Sequence, residues 1–473
     1  MNSTEKLMKD RFSGRTVTLL GAGVSNRPLA SVLSSLGAKV SVRDKKTADQ
    51  LGDNADALTA CGASLILGDG YLDGMNEDYI FRSPSFRPDM PAIAQAVSRG
   101  SVLTSEMDSF LEISPCPVYA VTGSAGKTTT TTLVSLMLEA GMIEAGGGRV
   151  FLGGNIGDPL LYRAAEMNGN DAVAVELSSF QLMTARAHFA AAVITNITPN
   201  HLNWHTGMDE YIAAKAKIVS DCGRAVIGYG CEITRKIGKK VSAPVTYFSR
   251  SPIPLDDIQA KDTAVFPEGE WIVEYHGKMR TELLRMDDIL LPGLHNAENY
   301  MAAIAATRGK VSLDAVRKIA RTFGGVPHRL ELVGKKGGVE YYNSSIDSSP
   351  DRTAAALSAL PGRSIVLIAG GCDKNLVYEP LADAIIGHGG IRTVVLNGQT
   401  AAKIGGVLTG HKDFAGSGIG LIYRDTLDEA VRYAAKAAKD GDVVLLSPAS
   451  TSFDQFENFE KRGERFRQLV GEI

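Results

Sequence analysis

Cysteine is scarce in this chain of 473 residues, and its distribution argues against two kinds of cross-link. The five cysteines are Cys61, Cys116, Cys222, Cys231 and Cys372. Their number is odd, they are scattered, and no two of them form a C-x-x-C pair. This pattern is not typical of a disulfide framework or of a structural zinc site.

Long apolar runs and an excess of charge of one sign are also missing. No stretch reaches about 20 apolar residues, the length that spans a bilayer, and the polar first residues are not typical of a secretory signal. The 50 Lys and Arg nearly balance the 53 Asp and Glu, and the resulting net charge of -3 gives no electrostatic reason to bind nucleic acid or an anionic membrane. We therefore expect a cytoplasmic, monomeric protein whose partners are small molecules.

Glycine is plentiful, with 50 residues, and the length predicts about three domains. Strand-like runs alternate with helical patterns, which predicts an α/β protein with parallel sheets. The clearest runs are residues 17–20, 39–42, 118–121, 172–175, 192–195, 364–369, 393–396 and 443–446. Residues 271–275 alternate in polarity, as an exposed edge strand does. We place the domain boundaries near residues 107 and 325, which gives domains at 1–107, 108–325 and 326–473.

A glycine-rich loop follows the strand-like run at 118–121. It reads Thr-Gly-Ser-Ala-Gly-Lys-Thr over residues 122–128 and leads into a helical pattern. In such a loop backbone N–H groups and a helix N-terminus face phosphate, the lysine adds charge and the threonine hydroxyl can hold Mg²⁺. The strict eight-residue pattern needs glycine where Val121 stands, so a simple glycine turn before a capped helix is the alternative interpretation.

Three further polar residues gain meaning only together. Glu176 ends a buried strand-like run, where a carboxylate beside a phosphate loop is well placed for Mg²⁺. Taken alone, Glu176 is more typical of a solvated strand end, His201 of a helix cap and Lys215 of a wet helix face. The first domain is ambiguous as well, because Gly21-Ala22-Gly23 lacks the third glycine of a dinucleotide fingerprint although Asp44 has the expected spacing of about 20 residues.

Several spaced motifs in one order resemble those of the Mur ligase family over the whole chain. These motifs are GSAGKTTTT, GGNIG, ELSSFQL, NITPNHL, GLHNAEN, PHR, GGCDK and LLSPASTSFDQFENFEKRG. The resemblance implies three domains: a Rossmann-like N-terminal domain for a UDP-sugar, a central P-loop ATPase domain, and a Rossmann-like C-terminal domain for an amino acid. The last motif is similar to the members that add D-glutamate to UDP-N-acetylmuramoyl-L-alanine through an acyl phosphate, in peptidoglycan precursor synthesis.

The resemblance also implies residue roles. The catalytic residues implied are Lys127, Glu176, His201 and Lys215. The residues implied to bind ATP are Gly123, Ser124, Ala125, Gly126, Lys127, Thr128, Thr129, Asn296, Asn299 and Arg329. Two Mg²⁺ sites are implied at Thr128, Glu176, His201 and a carbamylated Lys215. The residues implied to bind the two other substrates are Val24, Ser25, Asp44, Lys45, Ser83, Asn155, His201, Ser348, Lys374, Ser452, Phe453 and Phe459.

Departures from the family pattern keep two alternatives open. Ser344 and Ile346 stand where the family has an aspartate and a lysine, so the carboxylate is either missing or displaced to Asp347. The chain also reads Ser-Pro-Ser rather than Ser-Pro-Gly at residues 83–85, and Leu-Asn-Trp after His201, where an aspartate is common. The first alternative is a related ligase with another acceptor, such as L-glutamate or a folate-type polyglutamate chain. The second is a scaffold or regulator that binds ATP without ligation.

Overall fold

The computed structural model describes residues 3–23, 26–157, 159–202, 204–291, 293–373 and 376–473. The chain divides into two compact units, Met1–Arg321 and Thr322–Ile473. It contains three β-sheets with helices between their strands, which confirms the predicted α/β class. The boundaries near residues 107 and 325 stay predictions.

A five-stranded sheet is built by the first hundred residues. The elements here are α1 (Ser3–Phe12), β1 (Thr16–Leu20), α2 (Asn26–Ser35), β2 (Lys39–Asp44), α3 (Ala48–Leu51), α4 (Asp53–Ala60), β3 (Ser64–Leu67), β4 (Tyr79–Arg82), α5 (Pro91–Ser98), β5 (Val102–Thr104) and α6 (Glu106–Ile113). All neighbouring strands are parallel, in the order β3-β2-β1-β4-β5. Polar side chains fix helix starts; Ser105, for example, accepts a hydrogen bond from the backbone N–H of Asp108.

The second sheet belongs to the same unit and has nine strands. Its elements are β6 (Val118–Thr122), α7 (Lys127–Glu144), β7 (Val150–Gly154), β8 (Ala172–Glu176), α8 (Ser179–Leu182), β9 (Ala191–Ile194), α9 (Met208–Ala216), β10 (Ala225–Gly228), α10 (Glu232–Gly238), β11 (Val245–Phe248), β12 (Thr263–Glu268), β13 (Trp271–His276), β14 (Met279–Arg285), α11 (Leu294–Ala306) and α12 (Leu313–Thr322). The strand order is β14-β13-β12-β11-β10-β9-β6-β8-β7. Strand β6 is buried along its whole length, as a central parallel strand requires.

The expectation of an edge strand at residues 271–275 is wrong. Strand β13 pairs with β12 on one side and with β14 on the other, so β14 forms the edge. Burial along β13 does not follow the alternation in polarity. Ile272, Val273 and Glu274 are all buried, and the Glu274 carboxylate forms an ion pair with Arg308, so a polar residue in the pattern does not mark an exposed face here.

The third sheet forms the core of the second unit. Its elements are β15 (Glu331–Lys336), β16 (Val339–Asn343), α13 (Pro350–Ser358), β17 (Ile365–Gly370), α14 (Glu379–Gly387), β18 (Ile391–Asn397), α15 (Ala401–Gly410), α16 (Phe414–Ser417), β19 (Gly420–Arg424), α17 (Leu427–Ala437), β20 (Val443–Leu446) and α18 (Phe459–Glu472). The order is β15-β16-β20-β17-β18-β19, with only β15 antiparallel. None of the helices in the described ranges has the length and apolar character needed to cross a membrane.

Candidate active site

The phosphate loop lies between β6 and α7, as predicted. Gly123 has φ +153°, and a Cβ there would lie 1.8 Å from Oγ1 of Thr195. Gly126 has φ +79° and caps the N-terminus of α7, where a Cβ would meet Oδ1 of Asn299 at 2.6 Å. Both glycines are therefore required by backbone conformation and by close approach. Lys127 and Thr128 are the first two residues of the 18-residue helix α7 that follows the loop. The backbone N–H groups at the N-terminus of this helix favour binding of an anion.

The segment after β9 holds this loop in shape. Oδ1 of Asn196 accepts a hydrogen bond of 2.9 Å from the N–H of Ala125, and Thr195 donates one of 2.6 Å to the carbonyl of Ala125. The Ser124 hydroxyl donates to the carbonyl of Thr198 at 3.0 Å and lies 2.8 Å from the Tyr211 hydroxyl. The loop is thus preorganised by groups that lie 70 to 87 residues away in sequence: the side chains of Thr195, Asn196 and Tyr211 and the backbone carbonyl of Thr198. None of these four residues is among those to which the resemblance gives a role.

Thr128 and Glu176 meet at the carboxyl ends of β6 and β8. The Thr128 hydroxyl donates a 2.7 Å hydrogen bond to Oε2 of Glu176, and Nδ2 of Asn155 donates one of 2.7 Å to Oε1. The Glu176 residue is only 2% exposed, so the interpretation as a solvated strand end is wrong. A hydroxyl and a carboxylate oxygen side by side fit Mg²⁺, which prefers oxygen ligands and keeps several sites for water and phosphate. In the part of the chain that the structure describes, no three His, Cys, Asp or Glu side chains cluster as a closed metal cage.

Lys215 is buried beneath the phosphate loop. Its Nζ donates to the carbonyl of Gly123 at 2.8 Å and to Oγ1 of Thr122 at 3.3 Å, and it lies 4.8 Å from the centre of the Tyr211 ring. Burial, followed by repulsion from Lys127, lowers the pKa of Lys215 to about 7, although the charge of Glu176 opposes this shift. The residue is 2% exposed, so the expectation of a wet helix face is wrong.

His201 occupies a turn in an unusual backbone conformation. Its φ is +56°, in the left-handed region that residues other than glycine rarely adopt. Its ring packs edge-on against Phe180, with 5.0 Å between ring centres. The residue as a whole is exposed, but partial desolvation of its ring lowers the pKa of His201, and the nearby charges of Lys127 and Lys215 lower it further. The structure thus brings His201 into the same electrostatic environment as both lysines, with a neutral imidazole favoured.

Helix α11 packs beside the phosphate loop and the start of α7. The Thr130 hydroxyl donates to Oδ1 of Asn299 at 3.1 Å, and Nδ2 of Asn299 donates to Oδ1 of Asn296 at 3.1 Å. Both asparagines are buried. Their link to α7 places them beside the proposed ATP site, and Thr129 lies on the same first turn of that helix.

The predicted uridine pocket is only partly described. Val24 and Ser25 lie outside the described residues. Asp44 accepts hydrogen bonds from the backbone N–H groups of Ala22 at 2.8 Å and Lys46 at 2.9 Å, which fixes the loop after β1. Lys45 is exposed beside it. A Cβ on Gly21 would lie 3.2 Å from Oγ of Ser83, so the loops after β1 and β4 approach closely at the carboxyl edge of the sheet.

The residues predicted for the amino acid lie in the second unit. Lys374 lies outside the described residues, and Ser348 is half-buried after β16. Ser452 is buried, whereas Phe453 is 60% exposed. The ring centres of Phe459 and His328 are 6.0 Å apart. The neighbours of Arg329 in sequence, His328 and Leu330, have φ values of +63° and +43°, which marks a constrained turn there.

Ser344 and Asp347, which lie just after β16, show how the chain accommodates its departure from the family pattern. Ser344 is buried and its hydroxyl accepts a hydrogen bond from the N–H of Leu330 at 3.1 Å. Asp347 is buried as well and accepts a 2.8 Å hydrogen bond from the Ser447 hydroxyl. Burial raises the pKa of Asp347 to about 6, against hydrogen bonds from Ser344 and Ser447 that lower it. The position with the family's aspartate thus carries a serine bonded to the backbone, and a carboxyl group lies three residues later.

Comparisons with known proteins agree with this geometry. A family model described as the Mur ligase middle domain matches residues 121–307, and one described as the Mur ligase, glutamate ligase domain, matches residues 328–450. The UDP-N-acetylmuramoylalanine--D-glutamate ligase of Acetivibrio thermocellus is 41% identical over 479 residues, covering 100% of both chains. The ligase of the same name from Ruminiclostridium cellulolyticum is 42% identical, covering 100% of this chain and 99% of its own.

The chain belongs to the Mur ligase family. Among solved structures, the UDP-N-acetylmuramate-alanine ligase of Thermotoga maritima has a TM-score of 0.56 at 19% identity, covering 97% of this chain and 99% of its own. A pseudomurein peptide ligase type C from Methanothermus fervidus has a TM-score of 0.52 at 17% identity, covering 97% and 100%. These two likenesses concern the fold alone.

As a Mur ligase, the protein is an ATP-dependent, amide-bond-forming enzyme that uses ATP and magnesium and acts on small molecules. The family assignment removes the alternative of a non-catalytic scaffold. The phosphate loop was recognisable from local sequence. The polar residues that hold this Mur ligase loop in place could not be recognised in the same way, although one of them, Asn196, begins the NITPNHL motif.

Proposed function

We propose that this Mur ligase joins D-glutamate to UDP-N-acetylmuramoyl-L-alanine while ATP is split to ADP and phosphate, in peptidoglycan precursor synthesis. The observation that carries this proposal is end-to-end similarity, at 40–42% identity, to relatives named for that reaction. A cytoplasmic location and a monomeric state stay predictions.

The reaction has two steps. A carboxylate oxygen of the substrate bonds to the γ-phosphorus of ATP while the bond to ADP breaks, which gives an acyl phosphate. The glutamate amine then bonds to the acyl carbon, phosphate leaves, and the nitrogen loses a proton. Lys127 and the N-terminus of α7 stabilise the negative charge on the transferred phosphoryl group.

The proposed metal ligands divide between two ions. Thr128 and Glu176 would hold one Mg²⁺, with Asn155 fixing the orientation of the Glu176 carboxylate. His201 and a modified Lys215 would hold the second. Magnesium supplies charge neutralisation for the phosphate oxygens.

Carbamylation of Lys215 is supported by its environment. A lysine amine must be neutral to attack CO₂, and the pKa of about 7 leaves a large neutral fraction at neutral pH. The neutral nitrogen bonds to the carbon of CO₂ while one C=O π bond opens, and the nitrogen then loses one proton, which gives a carbamate anion. Starting from the ammonium form of Lys215, two protons are released in all. This change also removes the repulsion between Lys215 and Lys127.

The carbamate can be sought directly by ¹³C NMR after exposure to ¹³C-bicarbonate. We expect a carbamate signal in the unchanged protein and in Lys236→Arg, whose lysine is exposed and pairs with Glu232. We expect no signal in Lys215→Arg. Absence of the signal from the unchanged protein would show that Lys215 acts unmodified.

The acceptor amino acid is the least constrained part of the proposal. The residues proposed to contact D-glutamate are Lys374, Ser452, Phe453 and Phe459. Ser348, which is also proposed to bind substrate, lies close in sequence to the positions that depart from the family pattern. Arg329 is proposed to reach ATP. Because Ser344 and Ile346 replace an aspartate and a lysine, L-glutamate remains a second candidate substrate.

Phosphate release tests the proposal. The protein is incubated with ATP, Mg²⁺ and UDP-N-acetylmuramoyl-L-alanine, with D-glutamate or L-glutamate added separately. We expect release with D-glutamate alone, accompanied by the ligated product. Release with L-glutamate alone would assign the second candidate, and release with neither would overturn both.

A further inference from the structure

Arg87 joins the turn after β4 to the segment that follows His201. Its Nη1 donates to the carbonyl of Trp204 at 2.7 Å, and the guanidinium donates to both carboxylate oxygens of Glu210 at 3.0 Å each. The same group binds Asp89 at 2.7 and 2.8 Å and lies 5.0 Å from the centre of the Trp204 ring. Such a forked set of charge-assisted hydrogen bonds fixes orientation in a way that a lysine could not.

Trp204, which Arg87 binds directly, and His205, which contacts the Arg87 partner Glu210, both hold His201. The backbone N–H groups of Trp204 and His205 both donate to the carbonyl of His201 at 3.0 Å. These two bonds close the turn in which His201 has φ +56°. Left-handed backbone at a residue other than glycine persists only where its surroundings enforce it.

A buried histidine strengthens the same turn. Nδ1 of His205 lies 2.7 Å from Oε1 of Glu210, and Nε2 lies 2.9 Å from the Ser179 hydroxyl. Its side chain is fully buried. The Phe180 ring packs against the rings of His201, Trp204 and His205 with centre distances of 5.0, 4.4 and 5.5 Å.

The other end of this network is the turn that carries Ser83. Nε1 of Trp204 donates to the carbonyl of Ser85 at 3.3 Å, and the Ser85 hydroxyl lies 3.1 Å from that of Ser83. One set of contacts therefore connects a residue proposed to bind the UDP-sugar with a residue proposed to face magnesium.

We infer that Arg87 is a positioning residue that sets the His201 turn and couples UDP-sugar binding to metal binding. This inference rests on the proposed roles of Ser83 and His201. Coupling between two ligands is reciprocal, so a saturating UDP-sugar should tighten metal binding and the metal should tighten UDP-sugar binding by the same factor. Removal of Arg87 should weaken metal binding and abolish this dependence.

The experiment compares Arg87→Ala, Arg87→Lys and Glu210→Gln with the unchanged protein. The control is Arg280→Ala, because Arg280 also binds two carboxylates, Glu268 and Glu282, but lies on the β13–β14 hairpin. The Mg²⁺ concentration for half-maximal phosphate release is measured at low and at saturating UDP-sugar. Binding of Mn²⁺ in the presence of a non-hydrolysable ATP analogue, followed by electron paramagnetic resonance, gives a second readout that needs no turnover.

We expect Arg87→Ala to raise the half-saturating Mg²⁺ and Mn²⁺ concentrations about tenfold, with Arg87→Lys and Glu210→Gln intermediate. The effect of UDP-sugar on metal binding should disappear in Arg87→Ala and persist in Arg280→Ala. Lower melting temperatures with unchanged metal binding would overturn the inference and leave Arg87 a structural residue. Should Arg87→Ala fail to fold, the two milder variants decide the question. Turnover of the unchanged protein and Arg280→Ala with D-glutamate tests the proposed function separately.

Discussion

The two compact units each place a buried carboxyl group at or just after the end of a parallel strand, but in different surroundings. Glu176 ends β8 and accepts hydrogen bonds from Thr128 and Asn155, and its charge acts on Lys215. Asp347 follows β16 and accepts a hydrogen bond from the Ser447 hydroxyl, and burial dominates its ionisation by raising its pKa to about 6.

A carboxylate at a strand end is therefore not enough to indicate a metal site, because its neighbours decide which groups it can bind. Glu176 lies beside the phosphate loop and accepts a hydrogen bond from Thr128 on α7, so its oxygens would be available to a magnesium ion in the proposed site. Asp347 is surrounded by hydroxyl groups, with Arg329 and Arg352 as the charges that favour its ionised form.

The largest effect should come from the cation of the phosphate loop. Lys127→Ala should lower the turnover number roughly 10²- to 10³-fold, because a preorganised charge on the transferred phosphoryl group is lost. Steady-state phosphate release measures this loss. Lys236→Ala, at an exposed lysine on α10, is the matched control and should be near normal. Near-normal turnover of Lys127→Ala would remove the assignment of the loop.

Replacing each carboxylate by its amide tests whether only one of the two carboxyl groups binds magnesium. Glu176→Gln should raise the half-saturating Mg²⁺ concentration about 10- to 100-fold, because a metal ligand loses its charge. Asp347→Asn should leave the Mg²⁺ requirement unchanged. A Mg²⁺ titration of phosphate release checks both variants, and an equal shift in the two would mean that the two sites share the metal role.

Gly123 in the first unit and Gly371 in the second each leave no room for a side chain, but the obstructing atoms differ. A Cβ on Gly123 would meet a side-chain oxygen of Thr195 at 1.8 Å, whereas one on Gly371 would meet the backbone carbonyl of Thr451 at 2.3 Å. Gly123→Ala and Gly371→Ala should each lower kcat/KM about tenfold or more, since both φ values, +153° and +152°, also disfavour alanine.

Only the first clash can be relieved by a second substitution. Thr195→Ala removes the overlapping oxygen but also the hydrogen bond to the Ala125 carbonyl. The double variant should therefore exceed Gly123→Ala in kcat/KM for ATP and reach at most the value of Thr195→Ala alone. Gly371→Ala has no such partner because the obstructing atom belongs to the backbone. No recovery in the double variant would mean that backbone conformation, rather than the clash, sets the requirement at Gly123.

The smallest effect concerns stability and pH. The pKa of Asp347 is about 6 in the folded protein against about 3.9 in an unfolded chain, so the folded state holds a proton that the unfolded state loses between these values. The contribution of this group to the free energy of unfolding is therefore greatest below pH 4 and falls as the pH rises through 6.

Asp347→Asn should remove this dependence. Between pH 5 and pH 7.5 the unchanged protein should lose on the order of 1 kcal/mol more stability than the variant does. Thermal unfolding at the two pH values measures the difference, and Asp314→Asn, at an exposed aspartate of α12, serves as the control. Parallel pH curves for Asp347→Asn and the unchanged protein would contradict the raised pKa.

Much of the fold was readable from sequence because its signals are local. The runs at 17–20, 118–121, 172–175 and 443–446 all lie in strands, and the glycine-rich loop leads into α7 as expected. Apolar runs bounded by turn residues identify buried parallel strands without knowledge of their partners.

The α/β class, the phosphate loop and the family could be predicted from the amino-acid sequence, since each depends on the order of neighbouring residues. Three other features became visible only in the folded chain: the burial of Glu176 and Lys215, the interior position of β13 in its sheet, and the binding of Arg87 to Glu210 at a separation of 123 residues. Burial, ionisation and ion pairing depend on which distant segments pack together, and the spacing of residues along one segment carries no record of that packing.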